Sequence, residues 1–299
     1  MYISTTHSAF YDRIKDDKKT IQFVKDAGFT AYDMALTEAD LLWRDDYLEY
    51  AAEIRKFADG IGLPCNQTHA PHPPLLDASY PLWEVRVYGE RNGFQCNSFE
   101  EFNAKIYPKF VRAIEFSGIL GAKVCVVHPG NRHNAEENAR FYLSLADVAR
   151  KAGVKIGVEN SYDWKKDEPT ACAAACSNHQ DYKAHLDLLP EDVFVACVDI
   201  GHAELAGLNT SAVQMIETLG KRVQALHVHD VDLVHDNHAI PFSLQVDYEP
   251  IIAALKKIGY AGDITLEANV WKNVPDELLL DAAKWMAAVA AYFKTKIEK

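Results

Sequence analysis

The sequence predicts an α/β barrel of eight strand–helix units, a (β/α)8 fold in a single domain with enlarged loops at the carboxyl face of its strands. Two observations carry this. Strand-like and helix-like segments alternate from end to end, which points to a parallel sheet whose crossovers are helices. The stretch VFVACVD (Val193–Asp199) is also an uninterrupted apolar run ending in an acid, which suits a strand covered on both faces.

Taken in order, Tyr2–Thr5 and Phe29–Leu36 are the first two strands, with a helix around Lys18–Ala27 between them. Tyr47–Ile61 has helical apolar spacing and leads to the third strand, Pro64–His69. Pro71 to Ser98 reads as a long irregular insert. Phe99–Ser117 is amphipathic, and AKVCVV (Ala122–Val127) is the fourth strand. A helix over Asn134–Ala152 precedes the fifth strand, VKIGVE (Val154–Glu159). A second irregular insert, Ser161 to Asn178, is followed by a helix over His179–Leu189 and then the sixth strand at Val193. The remaining units are a helix over Ser211–Leu219, a strand over Val223–His229, a helix over Tyr248–Ile258, a strand over Asp263–Glu267 and a closing helix over Asp276–Lys296. An open doubly wound sheet would alternate similarly, but no Gly-rich phosphate loop follows the first strand. No linker or composition shift divides residues 1–299.

The chain of 299 residues is 48% hydrophobic and 25% charged, with a net charge of −12. That acidity argues against a general electrostatic grip on nucleic acid or anionic membrane. No apolar run approaches the roughly 20 residues of a membrane-spanning helix, and the first residues lack the pattern of a secretion signal. Six cysteines in a chain of this size do not suggest a disulfide scaffold, and Cys172 and Cys176 lack a second pair. A cytoplasmic protein is expected.

A (β/α)8 barrel builds its site at the carboxyl ends of its strands. Those ends here are His69, His128, Glu159, Asp199, His227 or His229, and Glu267. Asp199 alone would read as a helix cap, and His69 or His128 as a satisfied structural histidine. Six consecutive strands that end in metal-ligand residue types instead point to a convergent site. Glu159, Asp199, a seventh-strand histidine and Glu267 are the central set, because three facing carboxylates repel one another unless a cation lies between them. One imidazole with three carboxylates suits Mn, Mg, Co or Zn. His227 and His229 stand two apart on a strand and share a face, so His227 is the ligand of choice and His229 its alternative or a substrate contact. His202 would sit at the rim and touch substrate, with His69, His128 and more weakly His72 beside it. Asp236 and His238 have the spacing to chelate a further ion, although Asp-X-His read alone is a solvated loop. The two inserts overhang the mouth and carry Trp83, Arg86, Tyr88, Arg91, Phe94, Tyr162 and Trp164, aromatic and Arg side chains suited to closing over a polar ligand.

The motifs HAP at His69, HPG at His128, VEN at Glu159, VDIGHAELAG at Asp199, LHVHD at His227 and TLEA at Glu267 together resemble the xylose-isomerase-like TIM barrel superfamily. It contains sugar isomerases and epimerases, inosose dehydratases and endonuclease IV. The resemblance implies one divalent metal held by Glu159, Asp199, the seventh-strand histidine and Glu267, and no organic cofactor. It implies that Glu159 and Glu267 exchange protons with the carbon of a sugar or polyol, while His202 contacts the substrate. A dehydratase would use the same site. In endonuclease IV, matches to His69, His128, His202, Asp236 and His238 complete a three-zinc cluster that acts on abasic DNA. This chain reads DNH where that enzyme has an arginine between Asp and His, and it lacks the basic DNA-reading segments. Barrels of this kind often associate through outer helices or mouth loops, which leaves a homo-oligomer open.

Overall fold

In a computed structural model of the chain, which describes residues 1–37, 41–165, 168–268 and 274–299, all eight expected strands are present. They are β1 (Ile3–Thr5), β2 (Tyr32–Ala35), β3 (Cys65–His69), β4 (Val124–Val127), β5 (Lys155–Glu159), β6 (Phe194–Asp199), β7 (Val223–His227) and β8 (Ile264–Leu266). β2 to β7 form one parallel sheet in sequence order, and β1 pairs with β8. Two parallel bridges join these parts, Thr6 to Asp33 and Val228 to Leu266. Hydrogen bonds from His7 N to Asp33 O (2.8 Å) and from Val228 N to Thr265 O (2.9 Å) complete the two seams. The eight strands therefore close into a parallel (β/α)8 barrel.

The main crossover helices are α3 (Tyr47–Ile61), α5 (Phe99–Leu120), α6 (Ala135–Ala152), α7 (His179–Asp187), α9 (Ala212–Leu219), α10 (Tyr248–Ile258) and α11 (Asp276–Glu298), with α2 (Asp17–Asp26) after β1. Their starts and stops are written locally. Asn134 and Glu137 make a reciprocal capping box at the start of α6, and Gly153 ends it with φ +69°, where a residue with a side chain would be strained. Each helix lays its apolar stripe on the barrel, so the main core is a ring between strands and helices. A smaller group of Val124, Val126, Val195, Cys197 and Ala225 is separate from it.

Three short helices were not expected from the sequence. α1 (Ser8–Ile14) and α8 (Ile200–Glu204) are single turns or little more at strand ends. The third, α4 (Leu82–Arg91), corrects the reading of Pro71–Ser98 as irregular. Only Val85 and Gly89 of α4 are buried, so it lacks the broad apolar stripe that reveals a helix in sequence. β7 ends at His227, two residues earlier than expected. Among the described residues no helix is long and apolar enough to cross a membrane.

Candidate active site and its two donor groups

The carboxyl ends of the strands surround a cavity of about 660 Å³. Glu159 and Glu267 reach its wall, together with His72, His128, His202, Asp236 and His238. The chemistry-bearing residues behind this wall fall into two adjoining groups.

The deep group is Glu159, Asp199, His227 and Glu267, with one ligand-type atom of each within 4.8 Å of all the others. Strand geometry sets it: each residue ends or immediately follows its strand, where the barrel holds the backbone rigid. His227 Nδ1 lies 2.6 Å from Glu159 Oε1 and 3.1 Å from Glu267 Oε2. Its other nitrogen, Nε2, is 2.8 Å from the side-chain amide of Gln67. The Gln67 amide nitrogen faces it and donates to Nε2, so the ring hydrogen is on Nδ1 and goes to Glu159 Oε1; turning the amide over would move that hydrogen to Nε2 and free Nδ1 as an electron-pair donor to a cation. Glu159 is fully buried, whereas the side chain of Glu267 is 21% exposed. Burial alone would raise the Glu159 pKa, but the imidazoles of His227 and His128 outweigh it and hold the carboxyl well below the usual range.

The outer group is His202, His229, Asp236 and His238, which meet the same distance condition. His229 is fully buried, and its Nε2 lies 2.9 Å from Asp199 Oδ1. Its ring stacks on that of His238 at 4.2 Å. His238 Nδ1 donates to the carbonyl of Glu267 at 2.8 Å, and Nε2 approaches Asp236 Oδ2 at 3.0 Å. His202 donates from Nδ1 to the carbonyl of Asn160 at 3.0 Å, which turns Nε2 toward Asp236 Oδ2 at 3.5 Å. Burial lowers the His238 pKa, but the hydrogen bond to Asp236 and the nearby Glu267 raise it to about 9. His202 is likewise raised well above its ordinary value by Asp199 and Asp236, against burial.

These positions revise several expectations. Asp236-Asn-His238 is not a solvated loop; both side chains are mostly buried and face the cavity. The two seventh-strand histidines do not compete for one place, because the chain leaves the strand after His227 and carries His229 toward Asp199. His69 and His229, expected to touch substrate, are not on the cavity wall. His69 donates from Nδ1 to the carbonyl of Ala70, and its Nε2 sits 3.3 Å from Glu159 Oε2. His128 does reach the wall, with Nε2 3.1 Å from the same oxygen. Of the overhanging residues, Trp83, Tyr88, Tyr162 and Trp164 line the cavity, whereas Phe94 packs on Trp43 and Phe102 and Arg86 bonds Asn97.

Sequence reading missed Asp33, Gln67, Asn160 and Arg132. Asp33 is buried on β2, with neither carboxylate oxygen hydrogen-bonded, and lies 3.8 Å from His227 Nε2. Its signal was a lone acid inside an apolar run. Asn160 binds the backbone N–H and C=O of Asp199 through its side chain, at 2.7 and 2.9 Å, and so fixes β6 against β5 at the level of the site.

The deep set fits a divalent cation. Its three carboxylates and one neutral ring nitrogen match a hard to borderline ion. Its Glu159 Oε2 is also buried without a hydrogen bond, as is Asp236 Oδ1 in the outer group, a costly state for a carboxylate oxygen that a bound cation would relieve.

Comparison with known proteins agrees with the barrel. An uncharacterised protein of Methanocaldococcus jannaschii, MJ1311, is 25% identical over 214 residues, covering 64% of this chain and 66% of the relative. An uncharacterised protein of Sinorhizobium fredii, y4fM, is 24% identical over 294 residues, covering 91% and 86%. Among solved structures, a D-tagatose 3-epimerase-like protein superposes with a TM-score of 0.72 at 18% identity, covering 100% of this chain and 98% of the other. A D-psicose 3-epimerase determined in the presence of D-fructose gives 0.73 at 14%, covering 100% of both. The 3-keto-D-glucoside 4-epimerase of E. coli gives 0.67 at 15%, covering 96% and 99%. At these identities the superpositions speak for the fold. The description that matches most of the sequence, over residues 21–289, is the xylose isomerase-like TIM barrel, and the chain belongs to that family.

Proposed function

We propose that the protein is a divalent-metal-dependent sugar or polyol isomerase/epimerase that moves a proton on the carbon beside a carbonyl. The observation that carries this reading is the deep group, with Glu159 and Glu267 placed both on the cavity wall and among the four donors. The names of the superposed structures, epimerases of tagatose, psicose and a 3-keto-glucoside, lend it support. Glu159, Asp199, His227 and Glu267 would hold the ion, which supplies Lewis-acid stabilisation of the oxygen charge that develops as the proton leaves.

The protein's own part is to present two carboxylates to one substrate carbon. Glu159, ionised and buried, would act as the base. Glu267, more accessible and near the same His227 nitrogen, would return the proton. His202, fixed by Asn160, presents Nε2 toward the cavity for a substrate oxygen. The same arrangement would serve a dehydratase if a hydroxide left after enolisation.

The test is solvent-deuterium incorporation into ketohexoses, keto-disaccharides, polyol ketones and inososes by chain loaded separately with Mn, Mg, Co or Zn. Carbon-bound deuterium in substrate or epimer is expected, with one ion per chain sufficient; no exchange with any metal rejects the reading.

A second reading rests on the outer group. His202, Asp236 and His238 beside the deep set, with His69 and His128 on Glu159, furnish donors for two or three zinc ions, as a phosphodiesterase of endonuclease IV type would use. Two to three zinc ions per chain together with incision of abasic DNA would replace the first reading with this one.

A further inference from the structure

Beyond the deep carboxylates the lining of the cavity is aromatic. The deep carboxylates occupy the floor. The rest of the lining includes Trp83, Glu84 and Tyr88 from α4 and Tyr162, Asp163 and Trp164 from the loop after β5.

Trp83 is 67% exposed and Trp164 39%, so neither indole is there to fill a core. Both belong to anchored segments. Tyr162 donates its hydroxyl hydrogen to Asp236 Oδ2 at 2.9 Å and meets the Trp164 ring edge-on at 6.0 Å. Arg132 joins the two segments: Nε to Asp163 Oδ2 at 3.1 Å, Nη1 to the carbonyl of Ser79 at 3.3 Å, and the guanidinium over the Tyr80 ring at 4.0 Å. Two exposed indoles beside Glu84, Asp163 and Arg132 offer flat apolar faces together with hydroxyl partners. A pyranose, apolar on its C–H faces and polar around its edge, matches that mixture.

Resting on the epimerase reading of the floor, we infer that the outer cleft is a subsite for a second sugar ring. The substrate is then a keto-sugar glycoside rather than a free ketose: the reacting ring lies over Glu159 and Glu267, and the second is held at Trp83 and Trp164.

Calorimetry on the Mn-loaded full chain tests this, with D-fructose against the keto-disaccharides maltulose, turanose and isomaltulose. At least one disaccharide is expected to bind about tenfold or more tighter than D-fructose. Trp83→Ala and Trp164→Ala should remove that preference while leaving D-fructose affinity intact, and the Phe variants should keep it. D-fructose binding as well as every disaccharide overturns the subsite and leaves the epimerase reading standing, as does a preference that survives both alanine variants. Binding of no sugar of either kind overturns the subsite together with the function it rests on.

Discussion

The deep and outer groups lie side by side, yet they are built on opposite principles. The deep group has three carboxylates and one imidazole, each supplied by a strand end; the outer group has three imidazoles and one carboxylate, three of the four from the segment after β7. Carboxylate oxygens favour hard ions such as Mg or Mn, and imidazole nitrogen favours Zn. One barrel mouth therefore presents two different donor sets, and Asp199 belongs to the deep group while its oxygens face His229 of the outer one. Composition of the donor set, more than its position in the fold, separates what each group can hold.

The largest effect should come from the deep carboxylates. Glu159→Gln and Glu267→Gln are each expected to lower turnover about 10²–10⁴-fold, read as loss of solvent-deuterium exchange. An equal loss from Asp236→Asn would break the distinction between the groups. Next in size is the support behind His227. Gln67→Leu should weaken metal binding at the deep group about 10–100-fold, measured by competition with a chelating dye.

Gly201 sharpens the contrast from the other side. A Cβ at this position would run into the His229 ring, so Gly201→Ala must displace that imidazole or shift the turn. The expected cost is about 1–3 kcal/mol of stability. Zinc uptake at the outer group should fall while one ion per chain is retained at the deep one, as measured by elemental analysis and thermal melting. Loss of both ions would mean that the groups act as one.

The smallest effect is on pH. In chelator-treated protein the His238 pKa stands at about 9, above its ordinary 6.5, because of Asp236. The folded state thus holds a proton that the unfolded chain gives up. This contribution is complete below pH 6.5 and fades as pH rises through 9, and His202 is shifted in the same direction. The melting temperature of the metal-free protein should decline across that interval. With zinc bound, the ligating imidazoles are already neutral and the decline should flatten.

Much of this was legible from residue patterns. Strand-like segments ending in His, Glu or Asp, most plainly the apolar run before Asp199, marked both the strands and the side chains that converge, since closure of the barrel alone brings those ends together. What stayed hidden depends on where the chain leaves its strand. The pair His227 and His229 looked like alternatives because period-two reasoning holds only while the strand continues. Asp236 and His238 looked solvated because nothing local records that His229 and Tyr162 pack against that loop. Gln67 and Asn160 were overlooked because amides carry no ligand signal; their role is to aim neighbouring groups. α4 was missed because a helix lying on a rim buries too few residues to show a stripe.

Arg132 has a kinetic consequence. By binding Ser79 and Asp163 and stacking on Tyr80, it ties the segments after β3, β4 and β5 into one body. Loops tied in this way are expected to lift together rather than one by one, on the microsecond-to-millisecond scale typical of such segments. Amide exchange across residues 79–91 and 161–165 should then follow one common rate, and Arg132→Ala should split it into two.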